Sequence, residues 1–344
     1  MMKILIVGGC GFVGGNLAVM FTADGHDVRV VDNMSRSGTE LNARRLLDHG
    51  ITMSRSGVKE FAAAGGFRLW TPDIILNCAA QSRSMLGIGD PAADFYGNVE
   101  STFYCLELAR QYNAALVHWS TNKVYSDYQV NEYNATEGEK RYQVDYAMGV
   151  ETLAAGRHTV YGATKIAAEA LIDEWSRLYG IPCIRNRFSC IAGPHQYGCS
   201  DQGWVALWMI HHYLEKPLTY FGFNGKQVRD VLNISDLYEL IKRQAEYLTA
   251  TDQPVNQIYN VGGGMANTLS LRECSELCER ITGNHLTIGY NPEPRWADQR
   301  VFVSDNSKVS DAFNWEPTRA PAETLADIHS WIVDNESTVR EFYG

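Results

Sequence analysis

The stretch "KILIVGGCGFVGGNLAVMFTADGHDVRVVD", Lys3 to Asp32, decides the fold. It opens with a short apolar run that breaks into glycines, which suits a strand buried on both faces and entering a turn. "GFVGGNLAVMFTADG" reads as a helix closing on Gly25, and "HDVRVVD" as a second strand. That is one strand–helix–strand unit of about 30 residues. Gly8, Gly11 and Gly14 form G-x-x-G-x-x-G between the first strand and the helix, and Asp32 ends the next strand. The glycines let the backbone approach a pyrophosphate, and the helix N-terminus supplies free N–H groups and positive dipole. Asp32 can accept both ribose hydroxyls of an adenosine. A 2′-phosphate there would face a carboxylate, so the pattern favours NAD over NADP. Arg36 is a nearby cation that weakens this preference without reversing it.

Outward from this unit the same alternation continues. "DIILNCAA" and "AALVHWSTN" are further short apolar strands, and "NVESTFYCLELARQYN" between them is helix-like. Strands alternating with helices imply an α/β fold with a doubly wound parallel sheet, covered on both faces. "YGATKIAAEALIDEWSRLYG" predicts a helix, "PCIRNRFS" a strand, and "QIYNVGG" one more strand of the main sheet. From Ser126 to His158 the pattern weakens into a polar, Tyr-rich segment, which suits a functional lid better than a plain linker. After Cys190 the chain is loop-rich, and it ends in a helix, "AETLADIHSWIVD".

The chain has 344 residues, 45% apolar and 20% charged, which reads as an ordinary soluble globular protein. A formal net charge of −10 argues against a general nucleic-acid surface. An anionic substrate would need a local basic pocket against that field. No apolar run approaches a membrane span, and the N-terminal run suits a strand better than a signal peptide, so the chain is expected to be cytoplasmic. The eight Cys show no C-x-x-C pair. Cys274 and Cys278 are four apart on an expected helix, a poor zinc spacing, and read as reduced core thiols. His211-His212 and the other His residues show no ligand spacing, so no metal is assigned.

"YGATK" places Tyr161 and Lys165 four apart on one helix face. Y-x-x-x-K is common by chance, but it follows a dinucleotide-binding half, with Thr121 ending an earlier strand. A Lys ammonium beside a Tyr favours the phenolate. Bringing a phenol from pKa ~10 to ~7 takes about 4 kcal/mol of differential stabilisation. Such a Tyr can abstract a sugar hydroxyl proton while the carbinol hydride moves to NAD. Thr121 would hold the same hydroxyl by a hydrogen bond.

The glycine turn, Asp32-Asn33, "NCAAQ", "NVESTF", Thr121, Tyr161-x-x-x-Lys165 and "GKQVRDVL" occur in the order seen in the extended short-chain dehydrogenase/reductase family. The chain resembles that family over essentially its whole length. Its strings "STNKVY", "DQGWV", "GKQVRDVL" and "ADQRVFVSD" look more specifically like those of CDP-paratose (CDP-tyvelose) 2-epimerases. The resemblance implies a Rossmann-type NAD-binding domain over residues 1–188, to which 231–262 returns. It implies a smaller C-terminal nucleotide-sugar-binding domain over 189–344, with the cleft between them. It also implies the NAD-binding positions Gly8, Gly11, Phe12, Val13, Gly14, Asp32, Asn33, Ser35, Arg36, Ala79, Ala80, Gln81, Asn98, Tyr161 and Lys165. Thr121, Tyr161 and Lys165 are the catalytic group it implies, with a homodimer formed through a helix pair.

"VHWSTNKVYSD", Val117 to Asp127, narrows the reaction. In the related nucleotide-sugar 4,6-dehydratases the two residues after the Thr are typically Asp and Glu, acid and base for water elimination. Here they are Asn122 and Lys123, and neither does carboxylate acid–base work. What remains is oxidation and re-reduction at one carbinol from the other side, an epimerisation. Lys123 either contacts the substrate or is a solvated charge at a helix start. In the family, positions of Arg229 and Arg295 bind the diphosphate, for which the guanidinium fork is suited. Asp298 is a further substrate-binding position that the resemblance implies. Arg300 is a third candidate or a surface ion pair. Gln202 and Trp204 in "DQGWV" lie where the family holds the nucleotide, Gln202 to read a base edge and Trp204 to pack on it or serve as a core aromatic.

Three departures stand out. Gly57 takes the place where the family often has an Asp on the adenine. "VYG" has become "VYS" at Ser126. The usual Ser-Pro before the catalytic Tyr is Thr159-Val160. The expected function is NAD-dependent inversion of C2 in a CDP-linked hexose. The alternatives are a 4-epimerase of a UDP- or GDP-sugar, and a catalytically silent NAD-binding protein.

Overall fold

In a computed structural model, which describes residues 1–82, 86–126, 130–131, 135–150, 156, 158–251, 253–296 and 298–344, the N-terminal apolar run is strand β1 (Lys3–Val7). It pairs in parallel with β2 (Asp27–Asp32) on one side and β4 (Ile74–Asn77) on the other. β2 pairs in parallel with β3 (Thr52–Arg55), and β4 with β5 (Ala115–Thr121). With β6 (Cys183–Phe188) and a later strand, β9 (Asn256–Val261), these make a seven-stranded sheet in the order β9-β6-β5-β4-β1-β2-β3. The order reverses between β1 and β4, and the chain must cross from one flank to the other after β3. In open parallel sheets ligands bind beyond the carboxyl ends of the strands at such a point.

Alternation within β1 divides its side chains between two covered faces. Leu5 and Val7 join a core of Val31, Phe61, Ile75, Leu106, Leu116 and Ile172. Ile4 and Ile6 point the other way and are equally buried. Helix α1 (Phe12–Ala23) contributes Leu17 and Phe21, and the Phe21 ring meets Tyr238 edge-on at 4.9 Å between centroids. Helix α2 spans Thr39–Asp48, α3 Val58–Ala63 and α4 Ser101–Tyr112. Before α4 the chain runs through a turn at Pro91–Asp94 and a stretch of π-helix at Phe95–Glu100.

Helix α5 (Val160–Tyr179) starts where Thr159 caps it, its hydroxyl accepting from Gly162 N at 3.0 Å, and stops at Gly180 with φ +67°. A threonine therefore does at 159 what a capping serine does, and no proline is needed for the first turn.

The chain divides into two compact units. The first comprises residues 1–124, 159–187 and 238–259, and the second 125–158, 188–237 and 260–344. In the second, β8 (Val228–Asn233) is central. It pairs in parallel with β7 (Cys190–Ala192) and β11 (Val301–Phe302), and antiparallel with β10 (Thr268–Ser270). Its core gathers Met209 and Ile210 of α6 (Trp204–Leu214), Cys274 and Cys278 of α8 (Leu271–Thr282), and Leu325, Ile328 and Trp331 of α9 (Pro321–Asp334). A reciprocal capping box starts α8: Ser270 Oγ accepts from Glu273 N, and Glu273 accepts from Ser270 N. Helix α7 (Ile234–Ala250) carries the chain back towards β9.

All eight cysteines are free, and the sulfurs of Cys274 and Cys278 lie 4.0 Å apart on one helix face. The lid expected over 126–158 rests in part on residues 127–129, 132–134, 151–155 and 157, which lie outside the described residues. Its described part is tied into the second unit: Met148 N donates to Val303 O at 2.7 Å, and Lys140 pairs with Glu276 at 2.8 Å. Among the described residues, no helix is long and apolar enough to cross a membrane.

Candidate active site

The turn after β1 is built on close backbone approach. Gly8 has φ +76°, and a Cβ there would lie 2.6 Å from Ala79 N, in the loop that follows β4. A Cβ at Gly14 would lie 2.5 Å from Gly8 O. Side chains at these positions would push apart the turn, helix α1 and the Ala79-Ala80 loop. Gly15 N donates to Gly11 O at 2.9 Å, the first turn of the helix ladder. The N–H groups of Phe12, Val13 and Gly14 precede that ladder and are of the kind that has no intrahelical partner.

Asp32 is buried at the end of β2. Its Oδ2 accepts from Cys10 N at 2.9 Å and its Oδ1 from Met34 N at 2.8 Å. Burial raises its pKa, and these backbone bonds and the Arg36 guanidinium oppose the rise. Each oxygen keeps lone-pair capacity beyond one N–H, enough for two ribose hydroxyls. Ser35 N donates to Asn33 Oδ1 at 3.1 Å, an exposed turn. Arg36 Nη1 donates to Ser82 Oγ at 2.6 Å. Gly57 is the residue before α3 and offers no side chain there.

Gln81 and Asn98 are brought together: Asn98 Nδ2 lies 3.3 Å from Gln81 O and donates to Thr164 Oγ1 at 3.0 Å. The Thr164 hydroxyl in turn donates to Tyr161 O at 2.9 Å. Gln81 Nε2 donates to Asp94 Oδ1 at 2.6 Å, a buried carboxylate that sequence reasoning missed.

The end of β5 faces α5 in register. Thr121 Oγ1 accepts from Lys123 N at 3.2 Å and donates to Asn122 Oδ1 at 3.3 Å, and the same hydroxyl lowers the pKa of the Tyr161 phenol. Lys165 Nζ donates to Trp119 O at 2.7 Å. Ser120 Oγ donates to Glu169 Oε1 at 2.5 Å. The fit is tight: a Cβ at Gly162 would lie 2.2 Å from Lys123 O. Thr121 and the Tyr161-Lys165 pair, singled out from two separate motifs, thus lie in one cluster.

Burial pushes the Tyr161 phenol up to about 12; the Thr121 hydroxyl and the Arg36 guanidinium oppose the rise, and the Asp94 carboxylate adds to it. Burial lowers Lys165 to about 8, with Glu169 acting against the fall. The ammonium sits on the Trp119 carbonyl, so its proximity to Tyr161 along the helix does not make it the source of relief for the phenol.

In the second unit, Arg229 and Asp298 meet: Arg229 Nη2 donates to Asp298 Oδ1 at 3.0 Å and Nη1 to Val228 O at 2.8 Å. The Arg295 guanidinium lies over the Phe221 ring, 4.6 Å from its centroid. Arg300 is held by Asn131, whose backbone carbonyl accepts from Nη2. Trp204 starts α6, half-buried, and its Nε1 donates to Cys190 Sγ at 3.2 Å. Gln202 closes a small backbone bridge with Cys199. Among the described residues no cluster of His, Cys, Asp and Glu is arranged to hold a metal ion.

A family model for the NAD dependent epimerase/dehydratase family matches residues 4–262. The chain belongs to this family. It is 35% identical to the CDP-paratose 2-epimerase of Salmonella typhi, over 96% of this chain and 99% of that protein. It is 26% identical to the dTDP-glucose 4,6-dehydratase of Salmonella typhimurium, over 98% and 94%. Among solved structures, UDP-glucose 4-epimerase from Thermotoga maritima matches with a TM-score of 0.81 at 23% identity, covering 97% of this chain and all of that one. UDP-glucuronic acid 4-epimerase from Bacillus cereus, solved with UDP-glucuronic acid and NAD, matches with a TM-score of 0.76 at 22% identity over 97% and 100%. At these identities the likeness shows the fold, a Rossmann-type α/β sheet as expected. Like the other members of its family, this one is an NAD-dependent enzyme.

The family's cofactor fits the residues present. The cradle at Gly8 and Gly14 would be filled by any side chain, and Asp32 retains acceptor capacity. Sequence reasoning missed Trp119, Ser120, Glu169 and Asp94. One signal was present for Glu169: it lies four residues beyond Lys165, as Lys165 lies four beyond Tyr161, so all three share a helix face.

Proposed function

We propose that this enzyme inverts C2 of a CDP-linked hexose, as in CDP-paratose to CDP-tyvelose, by transient oxidation and re-reduction. The observation that carries the reading is the likeness to CDP-paratose 2-epimerase, 35% identical over 96% of this chain and 99% of that one. The residues after Thr121 support it. Asn122 is buried beside Thr121, and Lys123 follows on the same turn, where a dehydratase would need two carboxylates.

The cofactor would be held by Gly8, Gly11 and Gly14 with the N–H groups of Phe12 and Val13, by Asp32 with Asn33, Ser35 and Arg36, and by Ala79, Ala80, Gln81 and Asn98. NAD, when bound, supplies the hydride acceptor and donor, and its positive ring favours the Tyr161 phenolate. Thr121 orients the C2 hydroxyl. Tyr161 takes that hydroxyl's proton as the carbinol becomes a ketone and gives it back on re-reduction. Lys165 holds the end of β5 through the Trp119 carbonyl and would contact the nicotinamide ribose. Arg229 and Arg295 bind the diphosphate, with Asp298 presenting the Arg229 fork, and Lys123, Gln202 and Trp204 contact sugar and base. A homodimer belongs to the same reading, and the exposed Leu178 and Tyr179 at the end of α5 are suited to a helix-pair contact.

Incubating the purified enzyme with CDP-paratose and reading the product by NMR tests this. The C2 epimer is expected. A 4-keto-6-deoxy product from a CDP- or dTDP-sugar, or epimerisation of a UDP-sugar at C4 with CDP-paratose untouched, would replace the reading.

A further inference from the structure

Behind the Thr121–Tyr161 contact lies a buried ionic cluster with no place in the chemistry assigned so far. Glu169 is buried on α5, two turns beyond Tyr161. Arg187 of β6 grips its carboxylate with two nitrogens, Nε to Oε1 at 3.0 Å and Nη2 to Oε2 at 2.7 Å. The same Oε1 accepts from Ser120 Oγ. Arg185, also on β6, donates to the Glu169 backbone carbonyl at 3.1 Å. Removing two charges from water costs several kcal/mol for each ion, and replacing such a pair by apolar groups is often neutral or stabilising. Stability alone is a weak reason for a buried fork at this spot.

Its position supplies a better one. Trp119, Ser120 and Thr121 are consecutive: Trp119 meets α5 through Lys165 and Ser120 through Glu169, and the Thr121 hydroxyl acts on the Tyr161 phenol of the same helix. We infer that Glu169 is a positioning residue of the reaction: through Ser120 it fixes the Thr121 end of β5, and it sets its carboxylate four residues beyond Lys165 on the same face of α5. This rests on the reading that Thr121, Tyr161 and Lys165 carry the chemistry.

The groups around Lys165 leave this role to Glu169. Cys78, which follows β4, and Cys105 on α4 are both neutral thiols, raised by burial. His118 on β5 is pushed well down by burial, with Lys165 adding to the fall, and is uncharged near neutral pH. β6 brings two cations, Arg185 and Arg187, and the Cys183 thiol, which burial pushes up to about 12. Glu169 is the group whose charge opposes most strongly the loss of the Lys165 proton.

The test uses two single variants of opposite charge effect and one double. Glu169→Gln removes the anion of the fork, and Arg187→Gln removes its cation. Glu169→Gln/Arg187→Gln removes both charges while keeping hydrogen-bonding groups, so it retains a folded protein if the single variants do not. The Lys165 titration is read by NMR of lysine labelled with 13C at Cε, assigned with Lys165→Met. The midpoint should fall by about one pH unit in Glu169→Gln, rise by a similar amount in Arg187→Gln, and return towards the native value in the double variant. The alkaline limb of kcat should move the same way. A midpoint that stays in place, or that moves in one direction in both single variants, overturns the proposal. A midpoint that moves as expected in a protein that turns over no CDP-sugar removes the proposed function and leaves the role of Glu169 intact.

Discussion

Tyr161 concentrates the residue-scale account. The protein's own groups push its phenol up to about 12, so at neutral pH it is protonated. Tyr161→Phe removes the proton acceptor and little else. Its kcat should fall by about 10²–10⁴-fold, with NAD affinity by calorimetry nearly unchanged. A variant keeping a tenth of the native rate would exclude Tyr161 as the base. Lys165→Ala should harm both turnover and NAD binding. Because Lys165 lies at about 8, activity that needs its ammonium is full below that pH and is lost as pH rises through it. A kcat profile flat to pH 10 would show that the charge of Lys165 is not required. Tyr161 and Lys165 were legible because helix periodicity puts i and i+4 together whatever the tertiary fold. The direction of the Lys165 ammonium was not, because it depends on a carbonyl of a strand 46 residues away.

At the scale of elements, two fits carry the site. The glycine turn needs bare backbone at Gly14, where a Cβ would meet Gly8 O at 2.5 Å. Gly14→Ala should weaken NAD binding at least tenfold, about 1.4 kcal/mol, by calorimetry, while circular dichroism keeps the native helix content. Unchanged affinity would mean that the turn can open without cost. The strand–helix–strand unit at Lys3–Asp32 was readable because its period changes from a short apolar run to a helix and back. The π-helix at Phe95–Glu100, which carries Asn98, was not, since it shares a helix's side-chain pattern and differs only in backbone bonding. Arg229 and Asp298 were each singled out, yet their ion pair, 69 residues apart in sequence, lay beyond any local pattern.

For the whole molecule, net charge of −10 sits with a substrate that is itself anionic, so the cations that matter are the few local ones. Arg229 is already committed in part to Asp298. Arg229→Gln should raise KM for the nucleotide sugar more than it lowers kcat, and an unchanged KM would remove Arg229 from the diphosphate site. Light scattering should give twice the mass of one chain, and a monomer retaining full activity would set the homodimer aside.

The central claim is that hydrogen leaves and returns at one carbon. CDP-paratose carrying deuterium at C2 tests it most directly, with product read by NMR and mass spectrometry. The account predicts the C2 epimer with its deuterium kept at C2 and no loss of water. Loss of water to a ketone, or deuterium washed out of C2 into solvent, would contradict it.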